Sequence, residues 1–367
     1  MNNRGGDVGD HCRPPSRVLQ IVPHLPPPFE GVGTYAAVLA DVLAERFGIE
    51  TRFLVGDPAW SGGKGEGARP VSARTAASLL TGLSSENTVL LHYANYGYQS
   101  RGCPIWLVEG LTRWRLGAAD RRLVTLFHEV SASGPPWRSS FWLQPLQRRL
   151  AATVARVSGA AVTSLELYGE LIRPWTNGHE VMVTPVFSTV GEPAAALPFM
   201  ERRLRIVVFG SAGIRRRAYG RFLPALAKAA RLLAVEEILD VGPPVDLPVK
   251  AGDVPIRPLG ILPAREVSDL LLGSIAGFLA YPPTFLPKST IFAAYCAHGV
   301  LPVCAWKCRL RASTSPLAGQ HYWSTENGGL GDPGMIASAA HDWYADHSTV
   351  RQAGAFRDLL LGERTLA

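Results

Sequence analysis

Side chains that move protons or hold anions stand at the ends of several apolar runs in this 367-residue chain. His128-Glu129 directly follows RLVTLF, an apolar run over Arg122–Phe127. A histidine just beyond the carboxyl end of a core strand suits ligand contact or proton transfer. Its place at the strand end favours that over a histidine bonded to a backbone carbonyl. His92 ends another apolar run, TVLLH, and Tyr93, Asn95, Tyr96 and Tyr98 follow closely. Polar aromatics in such a place suit stacking on a sugar and recognition of its hydroxyls, or simply pack on one another in a surface loop. Pro287-Lys288-Ser289-Thr290 precedes the apolar run IFAAYCA, where a helix should begin. A helix N-terminus offers unpaired N–H groups and the positive end of its dipole, which suits a phosphate. Lys288 adds a full charge, and Ser289 or Thr290 can cap or donate. The plain alternative is an ordinary capped core helix. Gly210-Ser211-Ala212-Gly213-Ile214-Arg215-Arg216-Arg217, after the run LRIVVF, reads as a glycine-flanked turn carrying arginines, a diphosphate site or a solvated charge run. Gly31-Val32-Gly33 opens a helix after the first apolar run; glycine there admits a ligand to the backbone or serves the φ angles of a tight turn.

The elements that must position these residues alternate regularly. Strands are expected at Arg17–Val22, Glu50–Val55, Thr88–His92, Arg122–Phe127, Gly159–Ser164 and Glu180–Val186. Helices are expected between them: residues 34–48, Ser72–Leu83, Ile105–Leu116, Ser139–Val157 and Leu165–Ile172. Such alternation implies a parallel sheet covered on both faces. Phe187–Glu201 breaks the rhythm, and the pattern then restarts with Leu204–Phe209, Arg221–Leu233, Ile238–Val241, Ile256–Leu259, Arg265–Leu272 and Ala276–Tyr281. The reading is α/β: a disordered lead-in over 1–16, a first doubly wound Rossmann-like domain over 17–190, a linker over 191–203, a second such domain over 204–345 and a closing helix within 346–367. Pro333–Ala345 and Ser348–Leu361 read as the last helices, after an irregular stretch beyond Val303. Asp57–Pro70 is expected as a surface loop and Val130–Arg138 as a flap over the cleft.

Composition narrows the function classes. An apolar fraction of 47% is ordinary for a protein with good cores. Lys and Arg number 37 against 30 Asp and Glu, a net charge of +7, which fits a phosphate-bearing partner or an anionic membrane surface. No aromatic-spaced basic run or zinc-finger spacing points to nucleic acid. Cys12, Cys103, Cys296, Cys304 and Cys308 are odd in number and scattered, and Cys304/Cys308 lacks a second ligand pair, so neither a disulfide framework nor a metal site is expected. No apolar run has the length of a membrane span. With no signal peptide visible, a cytoplasmic place is expected, with an option on the inner face of a membrane.

Over roughly residues 17–310, in order, the chain resembles the GT-B glycosyltransferases, and within them glycosyltransferase family four. EGVGTYAAVLADVLAERFG is similar to that family's glycine loop and first helix, VTLFHEV to its strand ending in a histidine near the transferred sugar, and ARVSGAAVTSLELYGEL to its helix–strand–serine segment. VMVTPVFSTV is similar to the strand entering the linker, IVVFGSAGIRRRAYGRFLPALAKA to the segment that holds the donor diphosphate, and AGFLAYPP with AAYCAHGVLPV to the donor-binding segment. Where the family has G-R-x4-K, Ser211 replaces the arginine and Arg216 stands at the lysine. Where it has E-x7-E, Leu286 and Ala294 stand at the glutamates, one of which contacts the donor sugar and the other the ribose.

The resemblance implies a sugar transferase, hexosyl-transferring and retaining, using a UDP- or GDP-linked nucleotide-sugar without a separate cofactor or metal. His128 would sit near the anomeric centre. Gly33, Gly210, Arg216, Lys288, Ser289 and Thr290 would hold the diphosphate. His92, Tyr96 and Glu129 would meet a glycan, lipid-linked or small-molecule acceptor. The missing glutamates keep a second class open, a non-catalytic protein of the same architecture acting as a partner or scaffold. A nucleotide-sugar epimerase is a third option.

Overall fold

A computed structural model describes residues 17–26, 31–62, 67–132, 137–306, 316–326 and 329–362. The expected lead-in over 1–16 and residues 133–136 of the expected flap lie outside the described residues.

Two parallel sheets form because two series of short apolar runs alternate with helices. The first sheet comprises β1 (Arg17–Val22), β2 (Glu50–Val55), β3 (Ala68–Pro70), β4 (Thr88–Tyr93), β5 (Arg122–Phe127), β6 (Ala160–Thr163) and β7 (Val181–Val183). Their spatial order is β3-β2-β1-β4-β5-β6-β7. The second comprises β8 (Arg203–Phe209), β9 (Glu237–Val241), β10 (Lys250–Ala251), β11 (Val254–Gly260), β12 (Ser274–Leu279), β13 (Leu301–Cys304) and β14 (Trp323–Ser324), in the order β10-β11-β9-β8-β12-β13-β14. Only the short β10–β11 pairing is antiparallel among the named strands. Central strands are buried along nearly their whole length, as parallel strands covered on both faces must be.

The covering helices are α1 (Gly31–Phe47), α2 (Ala76–Gly82), α3 (Asn95–Tyr98), α4 (Ile105–Leu116), α5 (Ser139–Val157) and α6 (Glu166–Ile172) in the first half. The second half adds α7 (Ala212–Tyr219), α8 (Leu223–Leu232), α9 (Ala264–Leu272), α10 (Thr290–Ala297), α11 (Pro333–Ala345) and α12 (Thr349–Leu361). Strand order reverses between β1 and β4 in one sheet and between β8 and β12 in the other. In open α/β sheets, ligands sit beyond the carboxyl ends of the strands at these reversals.

α10 is fixed by close backbone packing. A Cβ on Gly277 of β12 would lie 2.2 Å from the Tyr295 ring, so only glycine lets this helix settle on the strand. The Tyr295 hydroxyl lies 3.0 Å from the Val207 carbonyl and 3.1 Å from that of Phe278. Ser289 caps the helix by accepting the Phe292 N–H at 3.2 Å.

The halves are tied at several points. Val186 N–H donates to the Pro287 carbonyl at 2.8 Å. α12 crosses back onto the first half: Gln352 accepts from the Tyr35 hydroxyl at 2.7 Å, and Arg122 donates to the Leu359 carbonyl at 3.2 Å. Glu192, in the crossover between the sheets, accepts from the Tyr344 hydroxyl and from the Thr349 N–H (2.7 Å) and hydroxyl (2.6 Å). This carboxylate therefore holds both chain crossings together.

The structure amends the expected arginine turn. Arg215, Arg216 and Arg217 lie inside α7, and the turn is only Gly210-Ser211. Arg215 is buried in an ion pair with Asp240 of β9, so it is a core residue. The expected surface loop ends in the edge strand β3, and the irregular stretch beyond Val303 contains the edge strand β14.

Candidate functional site

A cavity of about 280 Å³ opens between the two halves, at the carboxyl ends of β1 and β4 on one side and the N-terminus of α10 on the other. Gly31, Val32 and Tyr35 line it from α1, Ala94, Tyr96 and Gly97 from the segment after β4, and His128 and Glu129 from the end of β5. Lys288 and Thr290 face them from the second half.

His128 is held by a buried chain of polar groups. Gln20, the one polar side chain in the run VLQIV, presents its oxygen to His92 Nε2 at 2.7 Å, with its nitrogen toward the Thr51 hydroxyl. His92 Nε2 therefore carries the proton and His92 Nδ1 accepts, receiving His128 Nε2–H at 3.2 Å. That assignment leaves the lone pair of His128 on Nδ1. Tyr35 stands edge-on to both imidazoles and stacks on Phe187 at 4.0 Å between centroids. Burial, and then the Lys288 charge, lower the His128 pKa to about 3. Burial, and then His128, hold His92 well below the usual imidazole range. Both rings are neutral at physiological pH.

The opposite wall is cationic. Lys288 Nζ donates to the His128 carbonyl at 3.3 Å across the cleft. It also lies over the rings of Tyr168 and Phe285, 5.6 and 5.7 Å from their centroids. Burial lowers its pKa, and the Glu129 carboxylate opposes that shift. Tyr168 and Tyr281 are pushed up to about 12, first by burial, with Glu129 adding to both. Arg217 acts on Tyr281 in the opposite sense, so its charge reaches this end of the cleft. The cleft thus opposes a carboxylate and a neutral imidazole on one domain to Lys288 and the α10 N-terminus on the other, with neutral phenols between. Such a site can hold an anion beside an uncharged polar ligand.

The structure brings together His128, Glu129, Tyr96, Lys288 and Thr290. It moves other expected residues away from the cavity. His92 is fully buried and backs His128, because its two nitrogens are taken by Gln20 and His128. Gly33 is buried within α1, where a Cβ would lie 2.2 Å from the His24 carbonyl oxygen; its missing side chain serves helix–loop packing, while Gly31 and Val32 line the cleft. Gly210 takes φ +122° in the turn after β8, and a Cβ there would lie 2.5 Å from Ile291, so it serves the packing of α10. Ser289 is buried, its oxygen occupied as the α10 cap. Arg216 is exposed on α7 and is not among the cavity-lining residues; Arg217 beside it is the arginine whose charge reaches Tyr281.

Sequence reasoning missed Gln20, Tyr35 and Tyr168, and within the arginine run it singled out Arg216 rather than Arg217. A lone glutamine inside an apolar strand is a signal that could have marked Gln20. Among the described residues, no cluster of His, Cys, Asp and Glu could hold a metal ion, and no helix is long and apolar enough to cross a membrane.

No protein-family model matches the chain, and no curated protein matches it. Solved structures do. A protein of Anabaena, HepE, in complex with UDP-glucose, is similar over 93% of this chain and 99% of its own, with TM-score 0.55 and 10% identity. The spinosyn forosaminyltransferase SpnP is similar over 94% and 99%, with TM-score 0.54 and 15% identity. An alpha-glucosyltransferase in complex with UDP and a 13-mer DNA is similar over 94% and 92%, with TM-score 0.53 and 12% identity. At these identities the likeness establishes the architecture. The chain has the GT-B fold, two parallel-sheet α/β domains facing a cleft.

Proposed function

We propose that this chain is a glycosyltransferase that takes its sugar from a UDP- or GDP-linked nucleotide-sugar donor. The observation that carries the reading is the polarity of the cleft, where Lys288 and Thr290 at the α10 N-terminus face His128 and Glu129 at the end of β5. In this reading Lys288, the helix dipole, Thr290 and Arg217 stabilise the departing diphosphate directly, without a metal ion. His128 lies on the sugar side, with its Nδ1 lone pair available to a sugar hydroxyl. Tyr96 and Glu129 meet the acceptor, which is a glycan, a lipid-linked molecule or a small molecule. The resemblance to family four adds hexosyl transfer with retention of configuration.

Titration calorimetry with UDP and GDP tests the donor site. Lys288→Ala removes a charge-assisted bond of about 1.5–3 kcal/mol, which weakens binding about ten- to hundredfold. Nucleotide release from a panel of nucleotide-sugars tests transfer. Absence of both binding and release would overturn the reading.

A second reading, a non-catalytic protein of this fold, is favoured by one specific observation. Leu286 and Ala294, at the positions of the family glutamates, are both fully buried in core packing. Tight nucleotide binding that depends on Lys288 argues against it.

A further inference from the structure

Exposed apolar side chains are ordinary when single. On α5 they gather. Trp137, in the turn before the helix, is 83% exposed and Trp142 is 72% exposed; Phe141 and Leu146 are exposed beside them. The Phe141 and Trp142 rings meet edge to face, 5.3 Å apart. At 100° per residue, Phe141, Trp142, Leu146, Arg148 and Arg149 fall within about 160° of the helix circumference. The opposite face, with Gln147, Leu150, Ala151 and Val154, is buried against the domain.

The charge on this segment has one sign. Between Glu129 and Glu166 the chain carries Arg138, Arg148, Arg149 and Arg156 and not one acidic residue. A second copy or an ordinary protein partner offers mixed charge to such a face. An anionic bilayer offers a continuous negative surface together with a headgroup boundary in which tryptophan and leucine settle. We infer that the exposed face of α5, with Trp137, is a docking surface for an anionic membrane. The helix lies in the interface plane, its aromatic side chains at the acyl boundary and its arginines among the headgroups.

The buried face of the same helix reaches the cleft. Gln147, between Leu146 and Arg148 in sequence, donates to the Tyr96 hydroxyl at 3.1 Å and accepts the Ala132 N–H at 2.9 Å. Tyr96 lines the cavity. A bilayer docked on the exposed face is therefore separated from the acceptor side of the cleft by the width of this one helix, about 10 Å. Resting on the glycosyltransferase reading, this narrows the acceptor class to molecules anchored in that same bilayer.

Co-sedimentation at low salt tests the surface, using the full chain with vesicles of phosphatidylcholine alone and of equal parts phosphatidylcholine and phosphatidylglycerol. The chain should pellet with the anionic vesicles only, and raised salt should release it. Each basic residue at an anionic leaflet contributes a factor of about five, so Arg148→Glu with Arg149→Glu lowers the partition coefficient by at least about 25-fold. Trp142→Ser lowers it as well. All three positions are exposed, and an unchanged melting temperature shows that the variants fold. Equal binding to both vesicle types, or unchanged binding of either variant, overturns the inference. So does a dimer in sedimentation velocity that Trp142→Ser abolishes, since the occupant is then a second copy. UDP binding measured in the same preparations is independent. Retained UDP binding without vesicle binding refutes this inference alone, and the converse refutes the donor reading alone.

Discussion

Replacing His92 by alanine removes the middle of the chain Gln20–His92–His128. The Gln20 oxygen, bonded to His92 at 2.7 Å, loses its partner in the buried interior, and the His128 Nε2–H, bonded at 3.2 Å, loses its partner behind the half-buried wall of the cleft. Each orphaned polar group costs about 1–3 kcal/mol. The fully buried ring also leaves a hole between Tyr35 and β4 that the surrounding packing closes only in part. The two orphaned groups together cost about 2–6 kcal/mol and the hole adds to that, so the loss is a large fraction of the stability of an ordinary domain. Urea denaturation measures it as a fall in the midpoint with an unchanged slope. At temperatures where the variant stays folded, nucleotide affinity should be near wild type, because His92 does not line the cavity. Turnover should fall more than the acceptor KM rises, because His128 loses the bond that fixes its tautomer and orientation. If His92→Ala left stability within 1 kcal/mol and raised only the acceptor KM, His92 would be an acceptor contact in the open cleft. The buried chain described above would then be wrong.

Acid should weaken the fold through these two histidines and through His347, which is buried just beyond the end of α11. His128 is lowered to about 3 and His347 to about 4, each first by burial, and His92 is lowered well below the imidazole range. Their folded pKa values lie under the unfolded value of about 6.5, so the unfolded chain binds more protons below it and stability falls as pH drops from there toward the folded values. His128 alone accounts for about 2 kcal/mol between pH 7 and pH 5, and urea midpoints that stayed level over that interval would refute the burial of these rings. Asp240→Asn should cost about 3–5 kcal/mol by leaving the buried Arg215 guanidinium without its carboxylate. A thermal or urea melt showing under 1 kcal/mol would return Arg215 to the solvent.

Segments with a single strong period were legible. Arg17–Val22, Ile105–Leu116, Arg122–Phe127, Ser139–Val157 and Pro333–Ala345 fold over the residues that their apolar patterns mark. Helix α7 was not legible, because AGIRRRAY has no apolar stripe and its buried arginine is explained only by Asp240, 25 residues on. Edge strands β10 and β14, two residues each, carry no periodic signal at all. The site divides in the same way. His128, Glu129, Lys288 and Thr290 were readable because the end of a core strand and the start of a core helix are local features. The displacement of His92 was not, because its partner Gln20 is 72 residues away and only the sheet register brings β1 beside β4.

The Lys288 contact with His128 spans 160 residues and two domains, and it changes how the cleft charge should be read. A lysine bonded to a neutral carbonyl has no full counter-charge at that bond, and its proton is held against burial by Glu129. An anion entering the cavity offers Lys288 a better partner than the His128 carbonyl does. An ammonium group has three N–H donors, so Lys288 can take up such an anion beside its bond to the His128 carbonyl. The group that would meet an anion is thus the same one that ties the two walls of the cleft. Glu129, on the opposite wall, favours the charged form of that ammonium against the burial that disfavours it. Since Glu129 also adds to the rise that burial gives Tyr168 and Tyr281, one carboxylate favours both the charged lysine and the neutral form of the two phenols.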